Sequence, residues 1–499
     1  RSALTMNKKH ASFSSRLGFI FSMIGIAVGA GNIWRFPRVA AQNGGGAFLI
    51  LWLCFLFLWS IPLIIIELSI GKLTKKAPIG ALIKTAGKKF AWAGGFITLV
   101  TTCILAYYST IVGWGLSYFY YAVSGKIHLG NDFAKLWTSH YQSSIPLWAH
   151  LTSLGLAYLV IRKGIVHGIE KCNKILIPAF FLCTIALLLR AVTLPGAVQG
   201  IKQLFSCDKS CFSNYKVWIE ALTQNAWDTG AGWGLLLVYA GFASKKTGVV
   251  SNGALTAICN NLVSLIMGII IFSTCASLDI LGTTQLQDGA GASSIGITFI
   301  YLPELFTRLP GGIYLTTLFS SIFFLAFSMA ALSSMISMLF LLSQTLAEFG
   351  IKPYISETLA TIIAFVLGIP SALSLTFFSN QDTVWGVALI VNGLIFIYAA
   401  LVYGFPKLKK EVINAAPGDL RLNKAFDYII KYLLPIEGIL LLGWYFYEGL
   451  FPENGQWWNP ISLYSLGSLV LQWSLGLIIL WKFNKQLYLR FSRYNHEIL

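Results

Sequence analysis

The chain has 499 residues, of which 56% are hydrophobic and 11% charged, and its mean hydropathy is +0.71. Soluble domains carry roughly 25% charged residues, so this composition excludes an ordinary soluble protein and places most of the chain in a lipid bilayer. The formal net charge of +17 does not indicate nucleic-acid binding, because the lysines and arginines stand in short runs between apolar segments. Basic residues distributed in this way report membrane topology.

At roughly 20 apolar residues per span, the sequence predicts an all-α polytopic membrane protein with twelve transmembrane helices. We place these helices near residues 17–40, 46–71, 91–123, 146–161, 169–194, 217–243, 252–279, 313–347, 355–372, 381–404, 425–448 and 459–484. The loops after the second, fourth, sixth and tenth spans are rich in lysine and arginine, which predicts that both termini face the cytoplasm. The N-terminal segment, 1–16, and the C-terminal tail, 485–499, are then cytoplasmic.

The first span contains a run, residues 25–37, that is unusual for a lipid-facing helix. Gly25, Gly29 and Gly31 fall within seven residues, and Asn32 and Arg35 follow. Glycine disfavours helix by up to about 1 kcal/mol relative to alanine, so we expect the helix to unwind here. Backbone that leaves a helix at membrane depth is tolerated only where it is buried in protein or lines a cavity. The freed carbonyls and amides therefore predict a binding site for an ion and a solute.

A second glycine-rich run, residues 224–234, lies in the sixth span, where Asp228 adds an acid to an apolar segment. Paired interruptions at matching places in two halves of a chain indicate a transporter with inverted repeats and a site at the bilayer midplane. The first repeat would comprise helices one to five, residues 17–194, and the second helices six to ten, residues 217–404. The last two helices, 425–484, are appended to these repeats.

Two loops differ from simple connectors. The loop near 280–312 contains an apolar stretch, 295–306, that is too short to span a bilayer, and it favours a cap-like helical hairpin over the outer face rather than an ordinary surface loop. Cys207 and Cys211 lie in a polar loop, unlike most of the eight cysteines, and they form either a short-range disulfide or two unpaired thiols.

Specific motifs occur in a fixed order along the first eight spans. They read Arg16-Leu17-Gly18, Gly29-Ala30-Gly31-Asn32-Ile33-Trp34-Arg35-Phe36-Pro37, Asn43-Gly44-Gly45-Gly46, Ala106-Tyr107-Tyr108, Gly168-Ile169-Glu170, Asn260 and Ala331-Leu332-Ser333-Ser334. In content and order they resemble the neurotransmitter:sodium symporter family, including its prokaryotic sodium-coupled amino acid symporters. The resemblance implies a 5+5 inverted repeat with unwound helices 1 and 6, a bacterial inner membrane location, and sodium-driven uptake of an amino acid by alternating access.

The resemblance also implies two sodium sites made of the oxygen atoms that this hard cation prefers. A carboxylate of the substrate would complete the first site, whose protein ligands are the Ala27 carbonyl and the side chains of Asn32, Asp228 and Asn260. The second site would use the carbonyls of Gly25, Val28 and Ala330 and the hydroxyls of Ser333 and Ser334. Taken alone, the serines would bond their own helix backbone and the asparagines would bond between helices.

By the same resemblance the substrate lies at the break in the first span. The amides of Ala30 and Gly31 at a helix N-terminus suit an anionic carboxylate. Relatives that carry biogenic amines have an aspartate at the position of Gly29, so the glycine indicates an amino acid. The residues implied to contact the substrate are Ala27, Gly29, Ala30, Gly31, Ile104, Tyr108, Trp227, Gly230, Trp233, Ser334 and Met338. The part facing the substrate's side chain is apolar or small, which favours neutral, hydrophobic or aromatic amino acids, although ordinary packing would also explain the tryptophans.

The resemblance implies gates on both sides of this site. On the outer side Arg35 would pair with Asp382, unless Thr383 occupies the position of the family's gate acid, and Tyr108 and Trp233 would form an aromatic lid. On the inner side Glu348 matches an acid that pairs with an N-terminal arginine of the family. Here His10 replaces that arginine and Phe13 replaces a tryptophan, so we expect an altered inner latch.

Asp228 is the residue at which the chain departs most from the family. Two sodium ions beside a neutral substrate leave positive charge in a low-dielectric site, which relatives offset with a bound chloride or a glutamate in span seven. Here the glutamate position is Ser264 and the chloride-binding tyrosine is Trp52, although Gln224 remains. A carboxylate about 4 Å from a cation is worth on the order of 4 kcal/mol at an effective dielectric near 20. We therefore expect sodium to be required and chloride not.

Other functions stay open at this point. One is a proton-coupled carrier, or one that returns a proton through Asp228, and another is a channel or sensor that kept the fold. An enzyme is disfavoured, because no nucleophile–base motif or metal-ligand spacing appears in the sequence. The sequence does not indicate which amino acid is carried or the oligomeric state, and the residues before Met6 leave the native start open.

Overall fold

The architecture is helical throughout the part of the chain that the computed structural model describes, which is residues 12–277, 297–452, 455–460 and 462–495. Within these residues there is no strand, and an isolated bridge pairs Gly45 with Cys207. The predicted all-α fold is therefore confirmed.

The helices follow one another with short connections. In the first half they are α1 (Arg16–Ala27), α2 (Ala30–Gln42), α3 (Gly46–Thr74), α4 (Pro78–Ala86), α5 (Lys88–Val123), α6 (Phe133–Tyr141), α7 (Ile145–Ile161), α8 (Ile165–Val192) and α9 (Ala197–Phe205). In the second half they are α10 (Tyr215–Asp228), α11 (Leu235–Gly241), α12 (Val250–Ser277), α13 (Leu302–Arg308), α14 (Gly312–Glu348), α15 (Pro353–Leu373), α16 (Leu375–Tyr403), α17 (Ala425–Gly449), α18 (Leu466–Lys482) and α19 (Asn484–Tyr494).

Many of these helices are long enough to cross a membrane. Among the described residues, eight helices pass by length and composition, or up to ten if the bent pairs α6–α7 and α18–α19 each form one span. The interrupted pairs α1–α2 and α10–α11 would bring the number to twelve. Because neither interrupted pair contains an unbroken helix of spanning length, the count of twelve stays a prediction.

The break in the first span is narrow. α1 ends at Ala27, Val28 takes an extended conformation, and α2 begins at Ala30 with Gly29 as its N-cap. Only two residues of the run 25–37 therefore leave the helix, and Pro37 lies inside α2. Glycine and proline lower the cost of unwinding without enforcing it, and at membrane depth a residue that stays helical keeps its backbone hydrogen bonds.

The break in the sixth span is wider. α10 ends at Asp228, and α11 begins only at Leu235. Between them Gly230, Gly232 and Gly234 have φ values of 76°, 84° and 82°. Glycine adopts this left-handed region at no steric cost, whereas a side chain would strain it. The predicted span 217–243 is therefore two short helices joined by a glycine turn.

Two of the sequence motifs meet at the start of the first span. The carboxylate of Glu170, in the first turns of α8, accepts hydrogen bonds from the Ser14 amide at 2.7 Å and from the Ser15 hydroxyl at 2.9 Å. A β-carbon on Gly18 would lie 2.1 Å from the same carboxylate, so the glycine makes room for it. Lys174 adds an ion pair at 2.7 Å. These contacts hold the beginning of α1 against α8.

A short segment covers the end of the helices near Trp114. Phe299, just before α13, is buried, and its ring centroid lies 6.0 Å from that of Trp114 and 5.2 Å from that of Trp137. This placement fits the predicted cap-like stretch near 295–306. The preceding part of the predicted cap loop, 278–296, lies outside the described residues.

The glycine motif at 43–46 packs against the loop that follows α9. A β-carbon on Gly46 would lie 2.6 Å from the Phe205 carbonyl oxygen, and one on Gly44 would lie 2.5 Å from the sulfur of Cys211. Cys207 and Cys211 are both free thiols. Of the two possibilities that the sequence left open, the structure therefore shows two unpaired thiols and not a disulfide.

Candidate functional site

A cavity of about 270 Å³ lies between the two broken spans. Of the eleven residues predicted to contact the substrate, those that line it are Ala27, Gly29, Ala30, Gly31, Tyr108, Trp227, Gly230, Trp233, Ser334 and Met338. Ile104 is fully buried one turn before Tyr108 and does not line the cavity. The residues of α5 that line the cavity are Tyr107, Tyr108 and Ile111, which lie after Ile104 in the chain. This is because the cavity extends from the helix breaks toward Arg35.

The start of α2 presents its first amides to this cavity. The Gly29 amide donates to the side-chain oxygen of Asn32 at 2.8 Å, and the Ala30 amide donates to the Tyr108 hydroxyl at 3.1 Å. A β-carbon on Gly29 would lie 2.9 Å from the Tyr108 hydroxyl oxygen, so an aspartate at this position would require the tyrosine to move. The amides at a helix N-terminus have no partner within the helix and attract an anionic group.

The side chains of the predicted first sodium site converge from α2, α10 and α12. The amide nitrogen of Asn32 lies 3.1 Å from a carboxylate oxygen of Asp228, 2.8 Å from the side-chain oxygen of Asn260 and 2.8 Å from the Ser264 hydroxyl. All four side chains are buried. The sequence analysis named Asn32, Asp228 and Asn260 as sodium ligands. It named Ser264 only as the position at which relatives have a glutamate.

The Asn260 amide also faces two main-chain carbonyls. One of its terminal atoms lies 3.0 Å from the carbonyl oxygen of Ala27 and 3.0 Å from that of Asp228. This terminal atom is either the nitrogen or the oxygen of the Asn260 amide. If it is the nitrogen, it donates hydrogen bonds to both carbonyls. If it is the oxygen, it and the two carbonyl oxygens face one another. In the second arrangement this oxygen accepts a hydrogen bond from the Asn32 side-chain nitrogen at 2.8 Å, and a cation among the three oxygens would offset their repulsion. A sodium ion here would also require the Asn32 amide to turn, because its oxygen accepts from the Gly29 amide.

The Asp228 carboxylate lies beside the N-terminus of α2. A β-carbon on Gly31 would be 2.5 Å from one carboxylate oxygen, so this glycine allows the close approach. Ser264 donates a hydrogen bond to the other oxygen at 3.0 Å. The positive end of a helix stabilises a nearby negative charge. Asp228 thus brings a carboxylate from α10 to the place where the family resemblance expects a glutamate from span seven.

The oxygens of the predicted second sodium site converge from α1 and α14. The Ser333 hydroxyl oxygen lies 3.0 Å from the Gly25 carbonyl and 2.8 Å from the Ala330 carbonyl. The Ser334 hydroxyl oxygen lies 3.1–3.5 Å from the carbonyls of Gly25, Ile26, Val28 and Ala330. Two hydroxyl hydrogens cannot serve these six contacts. A cluster of oxygens short of donors fits a cation.

The predicted outer gate residues face the same cavity but do not meet. The Arg35 guanidinium lies over the Trp227 ring, 4.3 Å from its centroid, and one of its nitrogens is buried with no hydrogen-bond partner. Among the ion pairs closer than 4 Å in the described chain, none joins Arg35 to Asp382. Asp382 instead interacts with the Tyr107 hydroxyl. Asp382 and Thr383 both line the cavity, so both candidates for the gate acid lie within it.

At the opposite end Glu348 and Phe13 lie close to the inner halves of the broken spans. Glu348 accepts a hydrogen bond at 2.9 Å from the Ala77 amide at the start of α4, and it also interacts with the backbone of Gly80. Phe13 is buried, and its ring centroid lies 5.8 Å from that of Tyr239 on α11. The predicted partner of Glu348, His10, lies outside the described residues.

Glu67 supports the backbone of the second break, and the sequence analysis missed it. It lies in α3, is fully buried, and accepts hydrogen bonds from the Gly232 amide at 2.8 Å and the Leu237 amide at 3.2 Å. A break in a membrane helix leaves such amides without helical partners, and Glu67 satisfies two of them. The signal that could have found it is a lone acid in the apolar segment 46–71.

These features define a class: a multi-pass membrane transporter with its site between two paired broken helices. The model of the sodium:neurotransmitter symporter family matches residues 10–140 and 131–436, and the chain belongs to this family. It is therefore a sodium-dependent transporter and not an enzyme, as the sequence predicted.

Several known proteins are similar over much of the chain. An uncharacterized sodium-dependent transporter of Methanocaldococcus jannaschii is 34% identical over 342 residues, which are 65% of this chain and 67% of the relative. YhdH of Bacillus subtilis, another uncharacterized sodium-dependent transporter, is 29% identical over 454 residues, 87% of this chain and 97% of the relative. The crystal structure of MhsT in complex with L-phenylalanine has a TM-score of 0.75 and 27% identity, covering 86% of this chain and 98% of MhsT. The predicted transporter fold is confirmed by this similarity.

Replacing Glu67 with glutamine should destabilise the break in the sixth span. The side-chain amide has one oxygen, so either the Gly232 or the Leu237 amide would face an NH₂ group, at a cost of about 1–3 kcal/mol. We expect a lower midpoint of thermal unfolding and weaker substrate binding in Glu67→Gln. Glu357→Gln is the control, because Glu357 pairs with Arg162 at 3.8 Å near the surface and should cost less than about 1 kcal/mol. Equal midpoints for the two variants would contradict this role of Glu67.

Proposed function

We propose that this protein is a sodium-coupled symporter that carries neutral, hydrophobic or aromatic amino acids into the cell by alternating access. The observation that carries the proposal is a cluster of oxygen atoms around Ser333 and Ser334 with too few hydrogen-bond donors among them. This cluster lies beside a cavity at the break of the first span. Sodium at the second site would link α1 to α14. In this proposal the protein lies in a bacterial inner membrane with both termini in the cytoplasm.

The first sodium site would couple the ion to the substrate. The carbonyl of Ala27 and the side chains of Asn32, Asp228 and Asn260 would hold the ion, and the carboxylate of the substrate would supply a further oxygen. Ala27 also lines the cavity, so ion and substrate would share a boundary. Neither would bind as well alone, because each provides part of the other's electrostatic environment.

Three features of the cavity support an amino acid as the substrate. The Ala30 amide and the Tyr108 hydroxyl already share a hydrogen bond at 3.1 Å, at the place where a carboxylate would bind. Gly29 itself adds no carboxylate beside this hydrogen bond, and the Asp228 carboxylate lies further along, next to Gly31. The rest of the wall includes the apolar side chains of Ile26, Ile111, Trp227, Trp233, Met338 and Leu389. The aromatic amino acid bound to MhsT is consistent with a wall of this kind.

Asp228 would supply the negative charge that two sodium ions require. Its carboxylate receives hydrogen bonds from Asn32 at 3.1 Å and from Ser264 at 3.0 Å, so it is held beside the first site rather than turned away. Chloride would then be dispensable.

The rival function is a proton-coupled or proton-antiporting carrier in which Asp228 binds the proton, and the burial of this carboxylate favours that rival over a channel or sensor.

Uptake by proteoliposomes tests the proposed function. With an inward sodium gradient, we expect accumulation of radiolabelled phenylalanine, tryptophan or leucine, and none when choline replaces sodium. Tryptophan should compete for uptake and tryptamine should not, because tryptamine lacks the carboxylate. Uptake driven by a proton gradient without sodium would establish the rival, and equal competition by tryptamine would overturn the carboxylate argument.

Removing one ligand oxygen from either sodium site should weaken sodium dependence. Asn32→Ala for the first site and Ser333→Ala for the second remove an interaction with a charged group worth about 1.5–3 kcal/mol, so the sodium concentration for half-maximal uptake should rise on the order of tenfold or more. Ser337→Ala is the control, because Ser337 bonds Tyr239 at 2.7 Å one turn further along α14. Unchanged sodium dependence in both site variants would reject the assignment.

Chloride dependence tests the role of Asp228. Uptake by the unmodified protein should be the same when gluconate replaces chloride, because the carboxylate already offsets the sodium charge. Asp228→Ser removes that charge, so it should lower the apparent sodium affinity, and added chloride should restore part of the uptake. A large loss of uptake by the unmodified protein in gluconate would show that Asp228 does not replace the anion.

A further inference from the structure

Asn173, near the beginning of α8, is a buried amide without an assigned role. Its exposed fraction is 0%, and neither its side-chain oxygen nor its side-chain nitrogen has a hydrogen-bond partner in the described part of the chain. A buried polar group left unsatisfied costs roughly 1–3 kcal/mol. Such a side chain is therefore available to a bound partner wherever the groups beside it form a binding site.

The side chain of Asn173 lies beside two residues of the second sodium site. Its oxygen lies 3.1 Å from the position that a β-carbon on Gly25 would occupy, and the same position is 3.2 Å from the β-carbon of Ser333. Gly25 and Ser333 both belong to the predicted second site, and they contact each other at 3.0 Å. Because Gly25 has no side chain, the amide of α8 can approach the backbone of α1 at this point.

We propose that the side-chain oxygen of Asn173 is a sixth ligand of the second sodium site, an inference that rests on the proposed function. The other five oxygen ligands of this site are the carbonyls of Gly25, Val28 and Ala330 and the hydroxyls of Ser333 and Ser334. Hard cations fill their coordination shells with oxygen, and a neutral amide oxygen adds a ligand without adding charge. The ion would then satisfy the unpartnered oxygen of Asn173.

This ligand would have two consequences. It would connect α8 to α1 and α14 through one ion, so that release of sodium would remove this link and leave the contacts of Glu170 with Ser14 and Ser15 in place. It would also favour sodium over lithium, because the smaller ion takes fewer ligands and gains less from a sixth oxygen.

The test is equilibrium binding of ²²Na⁺ to the purified protein, which requires no transport. Asn173→Leu keeps the approximate volume and removes the oxygen, and Asn173→Asp keeps an oxygen at the same place. We expect Asn173→Leu to raise the half-saturating sodium concentration about tenfold, to raise that for lithium less, and to lose its effect when combined with Ser333→Ala. Asn173→Asp keeps the oxygen and adds a negative charge beside the cation, so it should bind sodium at least as tightly as the unmodified protein. Asn173→Ser serves as a second variant if the leucine protein does not fold.

Asn392 on α16 offers a matched control. It is also fully buried, both of its amide atoms lack partners in the described chain, and it does not line the cavity. Asn392→Leu should leave sodium binding unchanged. Equal half-saturating sodium concentrations in the unmodified protein and in Asn173→Leu or Asn173→Ser would overturn the proposal, as would an equal loss in Asn392→Leu. Absence of saturable sodium binding in the unmodified protein would instead reject the proposed function itself.

Discussion

The structure depends on one constraint: backbone that leaves a helix inside a bilayer must find other partners for its amides and carbonyls. The first break is limited to Val28 and Gly29, and the second extends over the glycine turn between Asp228 and Leu235. Side chains of unbroken helices satisfy these freed groups. Glu67 accepts hydrogen bonds from amides of the second break, and the serines of α14 donate to carbonyls of the first. Groups that remain without a donor are the ones we assign to sodium.

The same constraint governs the charges. A cation in a low-dielectric site requires a compensating negative charge nearby, and the described site places the Asp228 carboxylate next to Asn32 and Ser264. In this account one residue acts both as a ligand of the first sodium and as the fixed anion. A carboxylate held between a helix N-terminus and a hydroxyl donor is stabilised in its charged form by both.

Glycine runs and polar residues in apolar spans are strong signals, and they predicted the positions of both breaks. The proposed ion ligands and the residues of the cavity wall were implied by the family resemblance and not by these patterns. The patterns did not predict how short the first break is, since Pro37 is compatible with an intact helix. The absence of Ile104 from the cavity wall and the spacing of Arg35 from Asp382 depend on how helices tilt and pack, which periodicity does not encode. Glu67 and Asn173 were missed because their roles arise from contacts between distant spans.

The central claim is that two sodium ions bind at the break of the first span together with one amino acid, one beside the sixth span and the other against α14. The most direct measurement is the reversal potential of substrate flux in proteoliposomes, which gives the number of sodium ions moved with each substrate. The account predicts a sodium-to-substrate ratio of two that is unaffected by replacing chloride with gluconate. A flux whose reversal potential follows the proton gradient, or does not respond to sodium, would contradict it.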